Sequence, residues 1–309
     1  LLPAHSRHSD RTCGRGVFLC FAEFAYIAAP KSAYCKKRHL YRKSESAKAE
    51  KPERGKNVRN NINDEDARKR DSEDELNELK KEEIRISNIE ESGSITTTKN
   101  EITVHTLVIA GQIEGHTLLP PQSKTTKYEH VIPQLVGVEE SGDIDGLLIL
   151  LNTVGGDVEA GLAIAEMISG MKKPTVSLVL GGGHSIGVPL AVSAKKSFIV
   201  PSATMTIHPV RTNGLVIGVP QSFSYLAKMQ DRILDFIVKH SSVTKERMKE
   251  LMMETDELAA DIGSVIDGIK AVDIGLIDAV GSLSDASDAL KDMIRKAKSE
   301  HSENNRKNT

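Results

Sequence analysis

Residues 180–188, LGGGHSIGV, place a serine directly after three consecutive glycines, where an apolar run ends. In open α/β sheets, active sites lie just beyond the carboxyl ends of the strands. If a helix follows Ser185, its hydroxyl stands at the rim of the sheet, close to the free N–H groups of that helix. The stretch therefore predicts Ser185 as a nucleophile, although a glycine-rich turn alone is more often a plain strand-to-helix connection.

A nucleophilic serine that attacks a carbonyl group also needs hydrogen-bond donors for the oxyanion that develops. The stretch NTVGGD, residues 152–157, ends another apolar run with Gly155 and Gly156. Because the carboxyl ends of parallel strands share one edge of a sheet, these glycines are expected close to Ser185. The backbone N–H groups of Gly156 and Ile186 are the candidate oxyanion donors.

A general base is predicted at His208, in the stretch TMTIHPV. A histidine at the end of a strand can lie opposite Ser185 and accept its proton, and Pro209 restricts the path of the chain beyond it. Taken alone, such a histidine is more often structural. A carboxylate that orients the imidazole would complete a triad. Together, these features favour a serine hydrolase.

The elements that must position these groups alternate between strand and helix. Residues 102–111 alternate in polarity and predict a strand, and residues 145–157 contain a continuous apolar run typical of a strand that is covered on both faces. Apolar residues at three- and four-residue intervals predict a helix over 158–170, capped by Asp157. A further strand is predicted over 174–180. The order indicates a βαβ unit with parallel strands.

The second half of the domain is predicted to be richer in helices. A short helix of small residues follows Ser185, and the stretches SFIV and TMTIH predict strands. A long helix is predicted over 222–240, with one apolar stripe and the character of a projecting arm. Two more helices are expected over 245–253, capped by Thr244, and over 285–298.

The charge and the cysteines exclude some classes of protein. The net charge is −2, with both signs interspersed, so no basic stripe indicates a nucleic-acid partner. All three cysteines, Cys13, Cys20 and Cys35, precede the predicted domain. Neither a disulfide framework nor a CxxC metal site is therefore expected in the fold, which suits a reducing compartment.

No cofactor or metal is predicted. His105, His116 and His130 have no metal-ligand spacing with a carboxylate or a cysteine. The chain also contains no GxxxxGK[ST] nucleotide loop, so an ATPase activity of its own is not expected.

The first hundred residues are expected to lie outside the folded domain. Residues 51–90 contain 22 charged residues and only eight apolar ones, too few to offset the entropy of ordering. Residues 16–30 weakly resemble a secretory signal, but Glu23 interrupts them, and no membrane-spanning stretch is predicted. We expect a disordered tail or a misplaced translational start over 1–100, a domain over 101–298 and a polar tail over 299–309.

Five motifs in one order resemble a known family. The stretches GQIEGH, NTVGGDVEAG, GGGHSIGV, TIHPV and AVDIGLID, over about residues 100–282, resemble the proteolytic subunit of Clp protease, and more narrowly the translocation-enhancing (TepA) branch of Clp-like serine peptidases. The resemblance implies an α/β fold, the Clp/crotonase-like repeated ββα superhelix with a parallel sheet and a protruding handle helix. It also implies Ser185 as nucleophile, His208 as base, and Gly156 with Ile186 as oxyanion donors.

Two motifs depart from the usual Clp pattern. Thr153 and Val154 stand where the family usually has serine and proline before the glycine pair. Gly182, Gly183 and His184 stand where it usually has glutamine and two alanines. Neither change removes a catalytic group, and the His184 side chain is expected to point away from the Ser185 hydroxyl and to be structural.

The acidic member of the triad is less well defined. Alignment without gaps to the family places Gly263 where the acid should be, and Asp261 lies two residues before it. A local shift that presents Asp261 is the preferred interpretation, with Asp256 and Asp267 as flanking alternatives. The segment 118–130 is longer than the corresponding Clp turn, which is consistent with the TepA branch.

The resemblance implies a serine endopeptidase that hydrolyses peptides through an acyl-enzyme in a step that needs no ATP. It implies a homo-oligomer, with heptameric rings stacked through the handle. It leaves open whether an ATPase ring delivers substrates. The TepA resemblance implies a cytoplasmic protein, peripheral to the membrane, that clears signal peptides or precursors linked to translocation.

Two alternatives stay open. The first is a catalytically idle scaffold on the same fold that binds peptides or assists protein export, and the doubtful acid position is its best support. The second is a crotonase-like enzyme that acts on acyl thioesters, because that related fold also uses paired backbone N–H donors. The presence of both Ser185 and His208 in Clp order argues against the second.

Overall fold

The structure is a computed structural model that describes residues 93–212, 218–255 and 262–307, together with several helical residues between 76 and 89. The strands are β1 (Ser94–Lys99), β2 (Ile102–Glu114), β3 (Thr125–Lys127), β4 (Gly146–Gly156), β5 (Thr175–Gly183), β6 (Lys196–Ile199), β7 (Thr204–Ile207), β8 (Ser264–Asp267) and β9 (Ala279–Val280). The helices after residue 93 are α1 (Tyr128–Glu140), α2 (Val158–Gly170), α3 (Gly187–Val192), α4 (Val219–Lys239), α5 (Lys245–Met253), α6 (Gly268–Asp273) and α7 (Leu283–Lys307).

The strands form one sheet in the order β1-β2-β4-β5-β6-β9. Neighbours from β2 to β9 are parallel, whereas β1 is antiparallel at the edge. Strand β3 pairs with β2, and β7 pairs in parallel with the end of β5 and antiparallel with β8. The predicted α/β class is confirmed, with a sheet that is mixed because of β1 and the β7–β8 pair.

Both faces of β4 are covered, which explains its continuous apolar sequence. On one face, Ile149 belongs to the main core, which includes residues of α1, α2 and α3. On the other face, Leu148 packs in a second cluster with Leu290 and Ile294 of α7. The predicted strand over 145–157 is thus confirmed, with α7 as its second cover.

Helix α2 begins and ends where its sequence predicts. The Asp157 carboxylate accepts a hydrogen bond from the N–H of Ala160 at 2.9 Å and caps the first turn. Leu162, Ile164 and Ile168 are buried against the sheet. Because β4 leads directly into this cap, α2 holds the end of β4 in place at the edge where the candidate site lies.

The three glycines after the apolar run of β5 are part of the strand and not a turn. Gly183 pairs with Thr153 of β4, and Gly182 pairs with Thr204 of β7. The strand predicted over 174–180 therefore continues to Gly183, since partners on both sides provide its ladder. The turn that leads into α3 begins only at His184.

The first and last elements of the domain in the structure lie beyond the bounds predicted from the sequence. Strand β1 precedes the expected start at residue 101 and pairs with β2, and α7 continues to Lys307, past the expected end at residue 298. The long arm helix starts at Val219. Among the described residues, none of the helices combines the length and the apolar character that crossing a membrane requires.

Candidate active site

Ser185 lies in a sharp turn between β5 and α3, in a backbone conformation that residues with a β-carbon rarely adopt. Its φ is +57°, in the left-handed region, which costs such a residue about 1–2 kcal/mol. The turn is held because the N–H of Ser185 donates to the carbonyl of Thr206 at 2.9 Å, and the N–H of His184 donates to the carbonyl of Thr153 at 3.1 Å. Strained residues of this kind persist where their surroundings hold them, often at functional sites.

The glycine pair at the end of β4 allows the backbone to come close to this turn and to β2. A β-carbon on Gly155 would lie 2.7 Å from that of Ser185, and one on Gly156 would lie 2.2 Å from the carbonyl oxygen of Ile113. Both distances are shorter than a β-carbon tolerates. The pairing of two glycines here is therefore a steric requirement of the site.

The Thr153 side chain holds the glycine pair in place through hydrogen bonds, a role that was not predicted from the sequence. Its side chain is almost fully buried, donates to the carbonyl of Gly111 at 2.7 Å and accepts from the N–H of Gly155 at 3.0 Å. This residue stands where the Clp pattern usually has serine. A hydroxyl at this position is the signal that could have predicted the contact.

His208 follows β7, and a hydrogen bond determines its tautomer. Nδ1 lies 2.7 Å from the carbonyl oxygen of Pro209. Because a carbonyl can only accept, Nδ1 carries a proton, and in the neutral ring Nε2 then keeps a free electron pair. This is the form of histidine that a general base requires.

One cavity of about 200 Å³ brings most of the sequence-predicted site residues together. Gly156, Ser185, Ile186 and His208 all border it. The rest of its wall is mainly apolar and consists of Val158, Val188, Ile207, Pro209, Val210, Arg211, Ile233, Ile237, Met248 and Met252. Helices α4 and α5 supply the last four of these residues, and their sequence spacing resembles that of ordinary core positions, so sequence reasoning did not assign them to the site.

Of the residues considered for the acid, the structure describes Asp267 and Gly263. Asp261 and Asp256 lie outside the described residues. Asp267 accepts from the N–H of Lys270 at 2.8 Å and caps α6. Gly263, the gap-free match to the acid, lies against the base, since a β-carbon built on it would be 2.8 Å from that of His208.

The His184 side chain, which the sequence predicts to be structural, makes a hydrogen bond that the sequence does not specify. Its Nδ1 lies 2.8 Å from the hydroxyl oxygen of Thr206, whose carbonyl accepts the N–H of Ser185. Burial lowers the pKa of His184, because desolvation disfavours the charged ring. A neutral imidazole therefore stands directly before the candidate nucleophile.

Within the part of the chain that the structure describes, no three His, Cys, Asp or Glu side chains cluster in a way that could hold a metal ion. The polar groups around the cavity are backbone N–H groups, the Ser185 hydroxyl, the His208 imidazole and the Arg211 guanidinium. This set of groups can attack a carbonyl, move one proton and stabilise an oxyanion.

Several known proteins are similar to this chain. The chain is 60% identical over 200 residues to the translocation-enhancing protein TepA of Halalkalibacterium halodurans, covering 65% of this chain and 78% of that protein. It is 26% identical over 151 residues to an ATP-dependent Clp protease proteolytic subunit of Leuconostoc citreum, covering 45% and 74%. A solved structure of a ClpP1 mutant from Listeria monocytogenes matches with a TM-score of 0.47 at 23% identity, over 59% of this chain and 93% of that one.

The family model described as Clp protease matches residues 101–283, more than half of the chain. This range contains every described strand of the sheet except β1, together with the turn at Ser185 and the helices that line the cavity. On this evidence, the chain belongs to the Clp protease family.

Proposed function

We propose that the protein is a serine endopeptidase that hydrolyses peptide bonds through an acyl-enzyme. The observation that carries the proposal is the shared cavity, in which the strained Ser185 turn and the imidazole of His208 border the same space. A serine held in the left-handed conformation at a strand-to-helix turn presents its hydroxyl outward, as nucleophilic serines of other hydrolases do.

In the proposed reaction, Ser185 Oγ attacks the peptide carbonyl carbon while Nε2 of His208 takes the hydroxyl proton. The C–N bond then breaks, and the same proton passes to the leaving amine. Water attacks the resulting ester with His208 again as base, which releases the acid and restores the serine. The hydrogen bond from Nδ1 to the Pro209 carbonyl supports this order of steps, because it keeps Nε2 able to accept the serine proton.

The backbone N–H groups of Gly156 and Ile186 are the proposed oxyanion donors. Both residues border the cavity beside Ser185, and the two belong to separate elements, β4 and the start of α3. Donors of this kind stabilise the tetrahedral intermediate because they are held in place before charge develops.

The proposed substrate is a peptide with an apolar side chain next to the bond that is cut. Ile233 and Ile237 of α4 and Met248 and Met252 of α5 line the cavity. Methionine side chains adapt to irregular shapes, so the wall suits several apolar side chains and not a single one. A cavity of about 200 Å³ accommodates one such group.

Asp261 is the proposed acid of the triad. The contact of Gly263 with His208 supports this choice, because Asp261 stands only two residues before Gly263 in the sequence. The Pro209 carbonyl already holds Nδ1 of the imidazole. The acid would therefore replace or reinforce an existing orienting contact.

A fluorophosphonate probe tests the proposal, because it forms a covalent bond only with an activated serine. Labelling is expected at Ser185, is expected to disappear in Ser185→Ala, and is expected to fall strongly in His208→Ala and less in Asp261→Ala. The His130→Ala variant, which changes an exposed histidine of α1 that does not border the cavity, is the matched control. An assembled protein that is never labelled contradicts the proposal.

A catalytically idle scaffold is the second candidate, and one observation favours it. Glycine stands at the gap-free position of the acid, and it packs on His208 without a carboxylate. Such a protein would bind peptides in the same cavity and assist export without cutting them. Peptide binding to Ser185→Ala and to the parent with equal affinity, with no labelling of either, would favour the scaffold.

We also propose a homo-oligomer of stacked heptameric rings with α4 as the contact. The first half of α4 exposes Val219, Phe223 and Tyr225, which are 71%, 75% and 58% accessible. Apolar side chains grouped at the start of one helix indicate an interaction surface. The Clp family relationship supports the ring arrangement.

The cellular role that we propose is clearance of signal peptides or translocation-linked precursors at the cytoplasmic face of the membrane. It rests on the 60% identity to a protein named translocation-enhancing protein TepA. Delivery of folded substrates would need an ATPase ring as a partner, since the chain has no GxxxxGK[ST] loop. Co-purification from membrane fractions and an assay for accumulated signal peptides in a deletion strain test this role.

A further inference from the structure

Two bonds on Thr206 attach the Ser185 turn to strand β7. The carbonyl of Thr206 accepts the N–H of Ser185 at 2.9 Å, and its hydroxyl oxygen lies 2.8 Å from Nδ1 of His184. Thr206 is two residues before His208, so both bonds fall on the short strand that presents the base. The turn with the nucleophile and the strand with the base are therefore joined at a single residue.

Gly182 provides the space for the imidazole that makes the second bond. A β-carbon on Gly182 would lie 2.5 Å from Nε2 of His184 and 2.6 Å from Cδ2 of the same ring. A side chain at 182 and this ring position at 184 therefore exclude each other. The usual Clp pattern has the long side chain of glutamine at the position of Gly182 and the small side chain of alanine at the position of His184. Gly182 and His184 thus form one matched change.

If alanine stood at position 184, the Thr206 hydroxyl would have no imidazole to bond. In this chain the imidazole supplies a side-chain link in addition to the backbone bond of Ser185. Burial keeps the ring neutral at pH 7 because it lowers the pKa of His184, so the ring acts as a hydrogen-bonding partner and not as a charge.

We propose that His184 is a positioning residue, whose hydrogen bond with Thr206 sets the placement of His208 relative to Ser185. The inference rests on the proposed serine peptidase function, because this placement matters for the reaction only if His208 takes the serine proton. A misplacement of about 1 Å between reacting groups lowers a rate by roughly 100-fold. The bond is therefore expected to affect kcat and not substrate binding.

The test compares His184→Ala, His184→Asn and Thr206→Val in the full-length protein. Thr206→Val removes the hydroxyl but leaves the backbone bond to Ser185 in place. Each of His184→Ala and Thr206→Val is expected to slow fluorophosphonate labelling and kcat by roughly 10- to 100-fold with KM unchanged. The double variant is expected to be no slower than the slower single variant, since both remove the same bond.

The His184→Asn variant provides the rescue. Its amide places a polar atom close to where Nδ1 lies, so labelling is expected to return to within a few-fold of the parent. The exposed histidine variant His130→Ala is the control and is expected to match the parent. Melting temperatures identify any variant that fails to fold, and Thr206→Val keeps the test valid if His184→Ala does not fold.

Three results would overturn the inference: labelling of folded His184→Ala at the parental rate, His184→Asn as slow as His184→Ala, or additive losses in the double variant. If the parent itself is never labelled, the proposed function fails instead. The inference is then decided by crystal structures of the parent and of His184→Ala. A shift of His208 relative to Ser185 by about 1 Å supports it, and an unchanged placement overturns it.

Discussion

The backbone of Gly155 lies directly against the side chain of Ser185. A β-carbon on Gly155 would be 2.7 Å from the β-carbon of Ser185, 3.3 Å from its Oγ and 2.8 Å from the carbonyl oxygen of His184. The end of β4 thus packs directly against the candidate nucleophile. Because Gly155 precedes Gly156 in the same strand, this contact also sets the distance from Oγ to one proposed oxyanion donor.

Gly155→Ala is expected to damage both the fold and the site. The new methyl group would overlap the Ser185 turn, and φ of Gly155 is +88°, which disfavours any residue with a β-carbon. We expect the free energy of unfolding to fall by about 1–3 kcal/mol, as in other overpacked positions, together with a slower reaction of Ser185 with fluorophosphonate. Denaturant titration and labelling kinetics measure the two effects.

Gly137→Ala is the matched control for that substitution. Gly137 lies within α1, and a β-carbon there would meet no atom within 4 Å. Alanine is the better helix former, so the free energy of unfolding is expected to rise by up to about 1 kcal/mol with labelling unchanged. A Gly155→Ala protein as stable as Gly137→Ala would contradict the steric argument.

The left-handed conformation of Ser185 predicts an unusual order of stability. Ser185→Ala and Ser185→Gly both remove the hydroxyl and should both abolish labelling. Ser185→Gly is expected to be the more stable by about 1 kcal/mol, because glycine adopts a φ of +57° without strain. Denaturation midpoints of the two variants measure the difference.

The same pair of substitutions at Ser169 provides the control. Ser169 lies in α2, and its hydroxyl donates to the carbonyl of Glu166. In a helix the order should reverse, with alanine above glycine by up to about 1 kcal/mol. The conclusion about the Ser185 turn would be wrong if alanine were also the more stable residue at position 185.

Phe223→Glu is expected to reduce the size of the assembly. Phe223 is 75% accessible among the described residues, and a carboxylate in its place would be costly to bury between two stacked rings of the assembly. Size-exclusion chromatography with light scattering should show a smaller mass. Phe223→Leu keeps an apolar side chain and should keep the parental mass. A monomeric parent at micromolar concentration would contradict the proposed rings.

His105 is expected to make the protein less stable in mild acid. It lies in β2, with Nδ1 2.8 Å from the Thr96 hydroxyl oxygen, and burial lowers its pKa below 6.5 although Gln134 partly opposes the shift. The unfolded chain therefore binds this proton more tightly than the folded protein does. The contribution of neutral His105 to the free energy of unfolding is fully present above about pH 6.5 and is lost as the pH decreases below that value.

Thermal unfolding as a function of pH measures this effect. His105→Gln, which cannot take up the proton, should flatten the decrease between pH 7 and pH 5. The burial-lowered pKa of His184 acts in the same direction, so some decrease should remain. The exposed His130→Gln variant should retain the parental profile. Identical profiles for His105→Gln and the parent would show that His105 does not take part.

Much of the fold could be predicted because local patterns and tertiary demands agree. The periodicity of residues 158–170 and the carboxylate of Asp157 predict α2, and the structure has the same boundaries. The apolar run of β4 predicts a strand covered on both faces, which holds because α7 packs on its second face. The end of β5 could not be predicted, because glycines indicate a turn locally and only the partner strands β4 and β7 make them a strand.

The sequence alone predicted that Ser185, His208 and Gly156 lie together, because each stands at the end of an apolar run and such ends converge in a parallel sheet. Only the tertiary structure decided what holds them. The left-handed turn of Ser185 is bonded to Thr206 of β7 through its N–H and through His184, and the Thr153 hydroxyl that supports Gly155 also bonds Gly111 of β2. These contacts depend on register and on ångström-scale distances between segments, which composition and spacing along one chain do not encode locally.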